Sequence, residues 1–323
     1  MKVGLIGTGT IAQGVLDGLM LCENTSVIGI CGHSRKEKME ELMYAFMIPY
    51  GYMNYDEMLE NEQIDTIYVA SINSMHYSLA KKALLKKKHV IIEKPFVANL
   101  KEAQELYALA EENHLFLFEA IMNIYQPNFL KMKELLPELG TIKTVTMSIV
   151  QYSRRFDAFR SGTVLPAFDC KEYGGALMDL GVYPIHLAIN LFGLPHHYIY
   201  FANKIKGVDT SGVLILDYGN KKVNITCGKD SFSHAEIVIS GEDGLISSHY
   251  PPNFIMQFMH TNKEKENIEY TLNKEKNPLR YEMKFFEKAI RTNDYDFMEE
   301  RKVETLDVVN ILEKCRKQIE YGK

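Results

Sequence analysis

Val3-Gly-Leu-Ile-Gly-Thr-Gly-Thr-Ile-Ala-Gln-Gly14 decides how the rest of the chain is read. Val3 to Ile6 is an apolar run of strand length, and Ile11 to Met20 has the spacing of an amphipathic helix. Gly7-Thr8-Gly9-Thr10-Ile11-Ala12 joins them in the pattern G-x-G-x-x-A. In that pattern the first glycine makes a tight turn, the second lets backbone approach a pyrophosphate, and the small third residue lets helix pack on strand. Amides at the helix N-terminus then face the phosphates. With a strand before it and a helix after it, the motif predicts dinucleotide binding by Gly7, Thr8, Gly9, Thr10 and Ile11. A tight turn without a ligand is the alternative.

Working outward, β-rich runs alternate with helical patterns: Val3 to Ile6, Ser26 to Cys31, Thr66 to Ala70, His89 to Ile92 and Leu115 to Phe118. Between them lie Glu37 to Phe46, Ser78 to Lys88 and Leu100 to Asn113. The alternation predicts an α/β domain over residues 1–120, a doubly wound parallel (Rossmann) sheet, and its nearly all-apolar strands suit a sheet covered on both faces. After residue 120 the rhythm changes. Thr141 to Val150, Gly212 to Tyr218, Lys221 to Cys227, Ala235 to Ser240 and Gly244 to Ser248 read as strands, with tight links at Asp217-Tyr-Gly-Asn220 and Gly241-Glu-Asp-Gly244. Hairpin chemistry of this kind predicts an antiparallel sheet. With closing helices at Leu279 to Arg291 and Val303 to Ile319, residues 121–323 are expected to form an α+β second domain.

The totals agree with two soluble globular domains: 323 residues, 46% hydrophobic, 24% charged. A net charge of −5 with the two signs interspersed points to neither a nucleic acid nor a membrane surface as partner. Five cysteines without a C-x-x-C pair disfavour a disulfide framework and a zinc site, and no metal is expected. The apolar start is too short for a signal peptide, and no run approaches the roughly 18 apolar residues of a membrane span. Cytoplasmic localisation is the expectation.

Two further stretches carry chemistry. At the end of the second strand, where an acidic residue ordinarily holds the ribose of NAD, stands Gly32-His33-Ser34-Arg35-Lys36. The hydroxyl of Ser34 and the guanidinium of Arg35 suit a 2′-phosphate, so NADP is expected, with NAD as the alternative cofactor. The other reading of Arg35 and Lys36 is the start of a solvated helix face. The second stretch is Glu93-Lys94-Pro95, which ends the buried strand His89 to Ile92. Carboxyl ends of strands are where open α/β sheets bind ligands, and a proline stiffens the backbone that aims Lys94. A strand-end salt bridge between Glu93 and Lys94 is the alternative.

Glu93-Lys94-Pro95 with Gly7-Thr-Gly-Thr-Ile-Ala12, Asp65-Thr-Ile-Tyr-Val-Ala-Ser-Ile-Asn73 with His76, and Gly174-Gly-Ala-Leu-Met-Asp-Leu-Gly-Val-Tyr-Pro184 resembles the Gfo/Idh/MocA oxidoreductase family over nearly the whole chain. The last motif is most similar to the glucose–fructose oxidoreductase and dimeric dihydrodiol dehydrogenase branch. The resemblance implies NAD(P)-dependent hydride transfer on a carbohydrate-like small molecule, and a large open sheet in the second domain that forms a homo-oligomer, a dimer being favoured. It implies catalytic roles for Lys94, Asp179 and Tyr183, which also touch the substrate. Cofactor contacts are implied for Ala70, Ser71, Asn73, His76, Glu93 and Lys94, with Glu93 an orienting group among them. His186, two helical turns after Asp179, is a further substrate-side candidate; a hydrogen-bonded place inside the fold is its alternative, as helix capping is for His76 and Asp179 and a core position for Tyr183. The sequence departs from the pattern at Ile124, where many relatives carry arginine, and the contact of that arginine is not expected here. Ser153-Arg-Arg-Phe-Asp-Ala-Phe-Arg160 is either a source of substrate-binding cations or a surface segment.

The residue chemistry fits these roles. Moving hydride to or from a carbinol carbon requires a proton to leave or reach its oxygen, so a titratable group must touch that oxygen. Free tyrosine titrates near 10 and needs a neighbouring ammonium to ionise more readily. An NADP-dependent dehydrogenase or reductase of sugars or polyols is therefore the leading expectation. A cofactor-sensing regulatory protein of the same fold is its rival.

Overall fold

The computed structural model describes residues 1–321. Six short runs, all but β3 mostly buried, make the first sheet: β1 (Lys2–Ile6), β2 (Ser26–Cys31), β3 (Tyr50–Tyr52), β4 (Thr66–Val69), β5 (His89–Glu93) and β6 (Leu117–Ala120). All neighbours pair in parallel, in the order β3-β2-β1-β4-β5-β6. The doubly wound sheet expected from the alternation is thus present, with one more strand than was read. The short β3 carries two glycine-flanking tyrosines and no alternation of its own, so only pairing with β2 reveals it. The order reverses between β1 and β4, and ligands of such sheets bind outside the carboxyl ends at that switch point.

Packing divides the chain into two compact units. The first is Met1–Ala120 with Glu275–Leu306; the second is Ile121–Lys274 with the chain from Asp307 onward. Residues 275–306, assigned to the second domain from sequence, therefore pack with the first. The helix Leu279–Thr292 buries Leu279, Met283 and Phe286 at helical spacing, and this stripe needs an apolar partner. It finds one in unit 1: Phe286 stacks on Phe118 with ring centroids 4.7 Å apart, and Leu279 lies over Gly14 and Gly18 of the helix α1 (Thr10–Met20). A Cβ on Gly18 would stand 3.3 Å from Leu279, a tight contact, whereas one on Gly14 would stand 3.4 Å from it, at ordinary van der Waals distance.

The second unit is built on an eight-stranded sheet. Its strands are β7 (Ile142–Val150), β8 (His197–Ile205), β9 (Val208–Asp217), β10 (Lys222–Gly228), β11 (Glu236–Gly241), β12 (Leu245–Ser248), β13 (Phe258–Thr261) and β14 (Asn267–Tyr270). The order is β14-β13-β12-β11-β7-β10-β9-β8, and β7 with β10 is a parallel pair among antiparallel neighbours. The two expected hairpin links do join β9 to β10 and β11 to β12. One face of the sheet packs on the helix Val182–Phe192, whose first eight residues are all buried. Cys170–Phe192, contrary to the sequence reading, is long and apolar enough to cross a membrane, yet 72% of its most apolar window is buried inside the protein, as a core helix must be.

Candidate functional site

The cofactor half of the site lies in the first unit. β1 ends at Gly7, whose φ of +109° suits glycine, and a Cβ there would stand 2.2 Å from the Ala70 carbonyl oxygen. This close approach lets the chain turn into α1. Gly9 is the N-cap of α1; a Cβ there would meet nothing within 4 Å, and neither a capping side chain nor a first-turn acid occupies the helix start. Ala12 is fully buried beneath. An open, uncapped helix N-terminus with no carboxylate beside it fits a pyrophosphate, and Gly7, Thr8, Gly9, Thr10 and Ile11 surround it. Thr8 is buried, whereas Thr10 and Ile11 are exposed.

β2 delivers the cationic end. Gly32 is buried tightly against Met39, and its N–H donates to the Tyr52 carbonyl at 2.9 Å. The chain then emerges, leaving His33, Ser34, Arg35 and Lys36 exposed ahead of α2 (Lys36–Phe46), for which Arg35 is the N-cap. Lys36 pairs with Glu40 at 3.7 Å along the exposed face of α2.

β4 and β5 supply the residues near the reacting end. Ala70 follows β4 and is buried, and Ser71, Asn73 and Lys94 are partly exposed. Lys94 stands between buried Glu93 and buried Pro95, joined to the proline by a cis peptide bond. Burial pushes the Glu93 carboxyl above its usual range, against the Tyr68 hydroxyl that donates to it at 2.8 Å and the charge of Lys94. Glu93 is thus buried and held by Tyr68, where it braces the strand end beside Lys94. Glu119 works from the next strand, accepting the Phe96 N–H at 3.1 Å.

His76 lies deeper than the residues around it. The imidazole is fully buried, with Nδ1 3.0 Å from the Pro95 carbonyl and 3.2 Å from that of Phe96, and Nε2 3.3 Å from that of Ser71. Nδ1 faces the turn that carries Lys94 and Nε2 faces the segment after β4, and the one N–H of the neutral ring ties the start of the helix His76–Leu85 to one of them. Burial holds its pKa below the usual 6.5, against the three carbonyls that favour a proton. Between that lowered value and 6.5 the unfolded chain binds the proton and the fold does not, so this stabilisation is present above 6.5 and lost as pH falls. Asp209, pushed up to about 6 from 3.8 by burial, acts oppositely, losing stability as pH rises toward 6. The comparison must therefore be with His76→Asn: the stability advantage of the wild type in urea unfolding is expected to shrink from about pH 7.5 to about pH 5.5. A constant difference would contradict the neutral, buried state.

The residues expected to meet the substrate, Lys94 apart, lie in the second unit. A Cβ on Gly174 would stand 2.4 Å from the Pro166 carbonyl oxygen, and one on Gly175, at φ +123°, 2.0 Å from Asp209 Oδ1. Gly175 is required because Asp209, buried and hydrogen-bonded by the Tyr200 hydroxyl at 2.9 Å, takes the Leu177 N–H at 2.7 Å, and Gly174 because the Pro166–Ala167 backbone passes beside it. Leu177–Gly181 then winds as a π-helix before the α-helix Val182–Phe192, where an uninterrupted α-helix was assumed; such insertions recur at functional sites. Asp179 lies in the π-turn and Tyr183 in the first α-turn, 9% exposed, its carbonyl accepting from Asn123 Nδ2 at 2.9 Å. His186 is 2% exposed, one turn after Tyr183 in the same helix. Ile124 is likewise buried.

Sequence reading missed Lys229. Its ammonium is buried and lies 2.8 Å from Asp179 Oδ2. The signal was available: Val223, Ile225 and Cys227 mark the inward face of β10, and Lys229 continues that alternation. Arg154–Arg160, part of the loop read two ways, forms a short helix whose Phe156 and Phe159 pack with Phe168 and Val208.

Comparison with known proteins agrees with this arrangement. Residues 1–121 match the model of the Gfo/Idh/MocA oxidoreductase family, NAD-binding Rossmann fold, and residues 129–247 match the Gfo/Idh/MocA C-terminal domain. The chain belongs to the Gfo/Idh/MocA family. It is 33% identical to scyllo-inositol 2-dehydrogenase (NADP(+)) of Bacillus subtilis, over 99% of this chain and 97% of that one. It is 30% identical to trans-1,2-dihydrobenzene-1,2-diol dehydrogenase of Danio rerio, over 64% and 61%. The fold is shared with a 3-ketoreductase from Actinomadura kijaniata solved with NADP and TDP-benzene, at a TM-score of 0.86, 21% identity and coverage of 98% and 97%. Among the described residues no cluster of His, Cys, Asp or Glu suits a metal ion.

Proposed function

We propose that this family member is an NADP-dependent dehydrogenase or reductase that transfers hydride to or from a CH–OH carbon of a sugar, polyol or related compound. One observation carries the reading: an open α1 N-terminus followed by an exposed Arg35, in a chain similar from end to end to an NADP-dependent inositol dehydrogenase. The nicotinamide, when bound, supplies or accepts the hydride. Gly7, Gly9 and the first amides of α1 hold the pyrophosphate, and Ser34 and Arg35 the 2′-phosphate. Lys94 stabilises negative charge on the substrate oxygen, Tyr183 carries its proton, and Asp179 accepts from a substrate hydroxyl. A sensor would need the phosphate loop and none of these three, which supports the enzymatic reading.

The test follows absorbance of the reduced nicotinamide with scyllo-inositol, xylose and trans-diols, using NADP and NAD. Turnover with NADP, lost in Lys94→Ala, is the expected result; turnover surviving in that variant sinks the assignment. Arg35→Ala is expected to weaken NADP binding about 10- to 100-fold, the worth of one hydrogen bond to a charged group, and to leave NAD binding unchanged. The reading also includes a cytoplasmic homodimer formed through the outer face of the eight-stranded sheet, where Ile199 and Phe201 are 47% and 60% exposed. Light scattering should then give twice the 37.1 kDa chain mass, and a monomer would contradict it.

A further inference from the structure

We propose that Lys229 is a positioning residue of the substrate half-site, acting through Asp179; this rests on the reading of Asp179 given above. The ammonium is held from three sides. It is 2.8 Å from Asp179 Oδ2, donates to the Ala167 carbonyl at 2.8 Å, and sits 4.5 Å over the Phe168 ring. Its backbone is equally fixed, the N–H donating to the Thr210 carbonyl at 2.7 Å and the carbonyl accepting from Ser153 at 2.9 Å. Phe168 belongs to the buried cluster of Phe156, Phe159 and Val208, so the platform under the charge cannot swing.

Besides Asp179, the ammonium serves the Ala167 carbonyl and acts on the buried Asp209 carboxyl, whose ionised form its charge favours. Val223, Ile225 and Cys227 before it on the same face are apolar, and apolar replacement of a buried ion pair is often neutral or stabilising. What the lysine adds is a charge fixed beneath a carboxylate that still reaches solvent: the Asp179 side chain is 39% exposed, that of Lys229 only 4%. The pair is therefore asymmetric, with a buried cation aiming a partly exposed anion. Held this way, Asp179 keeps one oxygen on Lys229 while its side chain still reaches solvent, so the carboxylate is already placed before a hydroxylated substrate arrives and little orienting cost falls on binding.

The test compares wild type, Lys229→Met, Lys229→Gln, Asp179→Asn and the Lys229→Met/Asp179→Asn double variant, in the full chain. Measured for each are kcat and KM with scyllo-inositol and NADP, NADP affinity by fluorescence, and thermal midpoint. Crystal structures of wild type and Lys229→Met give the Asp179 carboxylate position. Lys229→Met is expected to lower kcat/KM about 10- to 100-fold, the size of one hydrogen bond to a charged group, with NADP affinity unchanged. Lys229→Gln, which retains a donor, should fall between. In the Asp179→Asn background, Lys229→Met should cost little more, and in the crystal the carboxylate should leave its wild-type place.

Full additivity of the two losses, activity that merely follows the thermal midpoint, or an Asp179 that stays put without Lys229 would each overturn the proposal. If Asp179→Asn keeps wild-type kcat/KM, the assignment of Asp179 to the substrate fails instead, a distinguishable outcome. Should the wild type not turn over scyllo-inositol, or Lys229→Met not fold, the carboxylate position in Lys229→Gln decides.

Discussion

Replacing Tyr183 by Phe is expected to lower kcat by about 10²- to 10⁴-fold, the range for losing a general acid/base, while NADP affinity stays unchanged. The substitution is clean because the ring is 9% exposed and the shape is conserved. The main chain is held independently, since Asn123 Nδ2 bonds both the Tyr183 carbonyl at 2.9 Å and the Pro252 carbonyl at 3.0 Å. The thermal midpoint should therefore barely move, separating lost chemistry from lost fold. Single-turnover measurement with a deuterated reduced cofactor would show whether the chemical step itself has slowed. A kcat within about threefold of wild type would remove Tyr183 from the proton-transfer role.

The second large effect separates two glycines that look alike in sequence. Gly7→Ala is expected to destabilise the first unit by roughly 3 kcal/mol or more, through a positive φ and a clash that nothing nearby can relieve. The clashing Ala70 carbonyl cannot retreat, because the Ala70 N–H is bonded to the Ile6 carbonyl at 2.9 Å across β1 and β4. That loss corresponds to a fall in the thermal midpoint of about 6–12 °C, readable by calorimetry. Gly9→Ala meets open space at φ −71°, so the fold should hold while NADP affinity falls, the added methyl standing where a pyrophosphate approaches. Equal midpoints for the two variants, or undiminished NADP binding by Gly9→Ala, would refute the division of labour.

Much of the cofactor half was legible from residue order because its signals are local. A buried strand, a glycine turn and a helix start lie within the first twenty residues, and their spacing alone requires the backbone to turn where the structure turns. Arg35 was legible for the same reason, standing just past a strand end. The substrate half was harder. Asp179 and Tyr183 came forward only through motif resemblance, and Lys229 lies 50 residues beyond Asp179, so only the pairing of β10 beside the π-helix brings the two charges together.

By itself the sequence determined which segments are strands and helices wherever an apolar period of two or near four is strong, the parallel character of the first sheet, and the phosphate turn. Tertiary structure alone decided the weak strands β3, β8, β13 and β14, the parallel pairing of β7 with β10, the return of residues 275–306 to the first unit, and the inward commitment of His76 and Glu93. Periodicity records which side of an element avoids water. Which other element covers that side, and which buried polar group then finds a partner, depends on contacts between residues far apart in the chain.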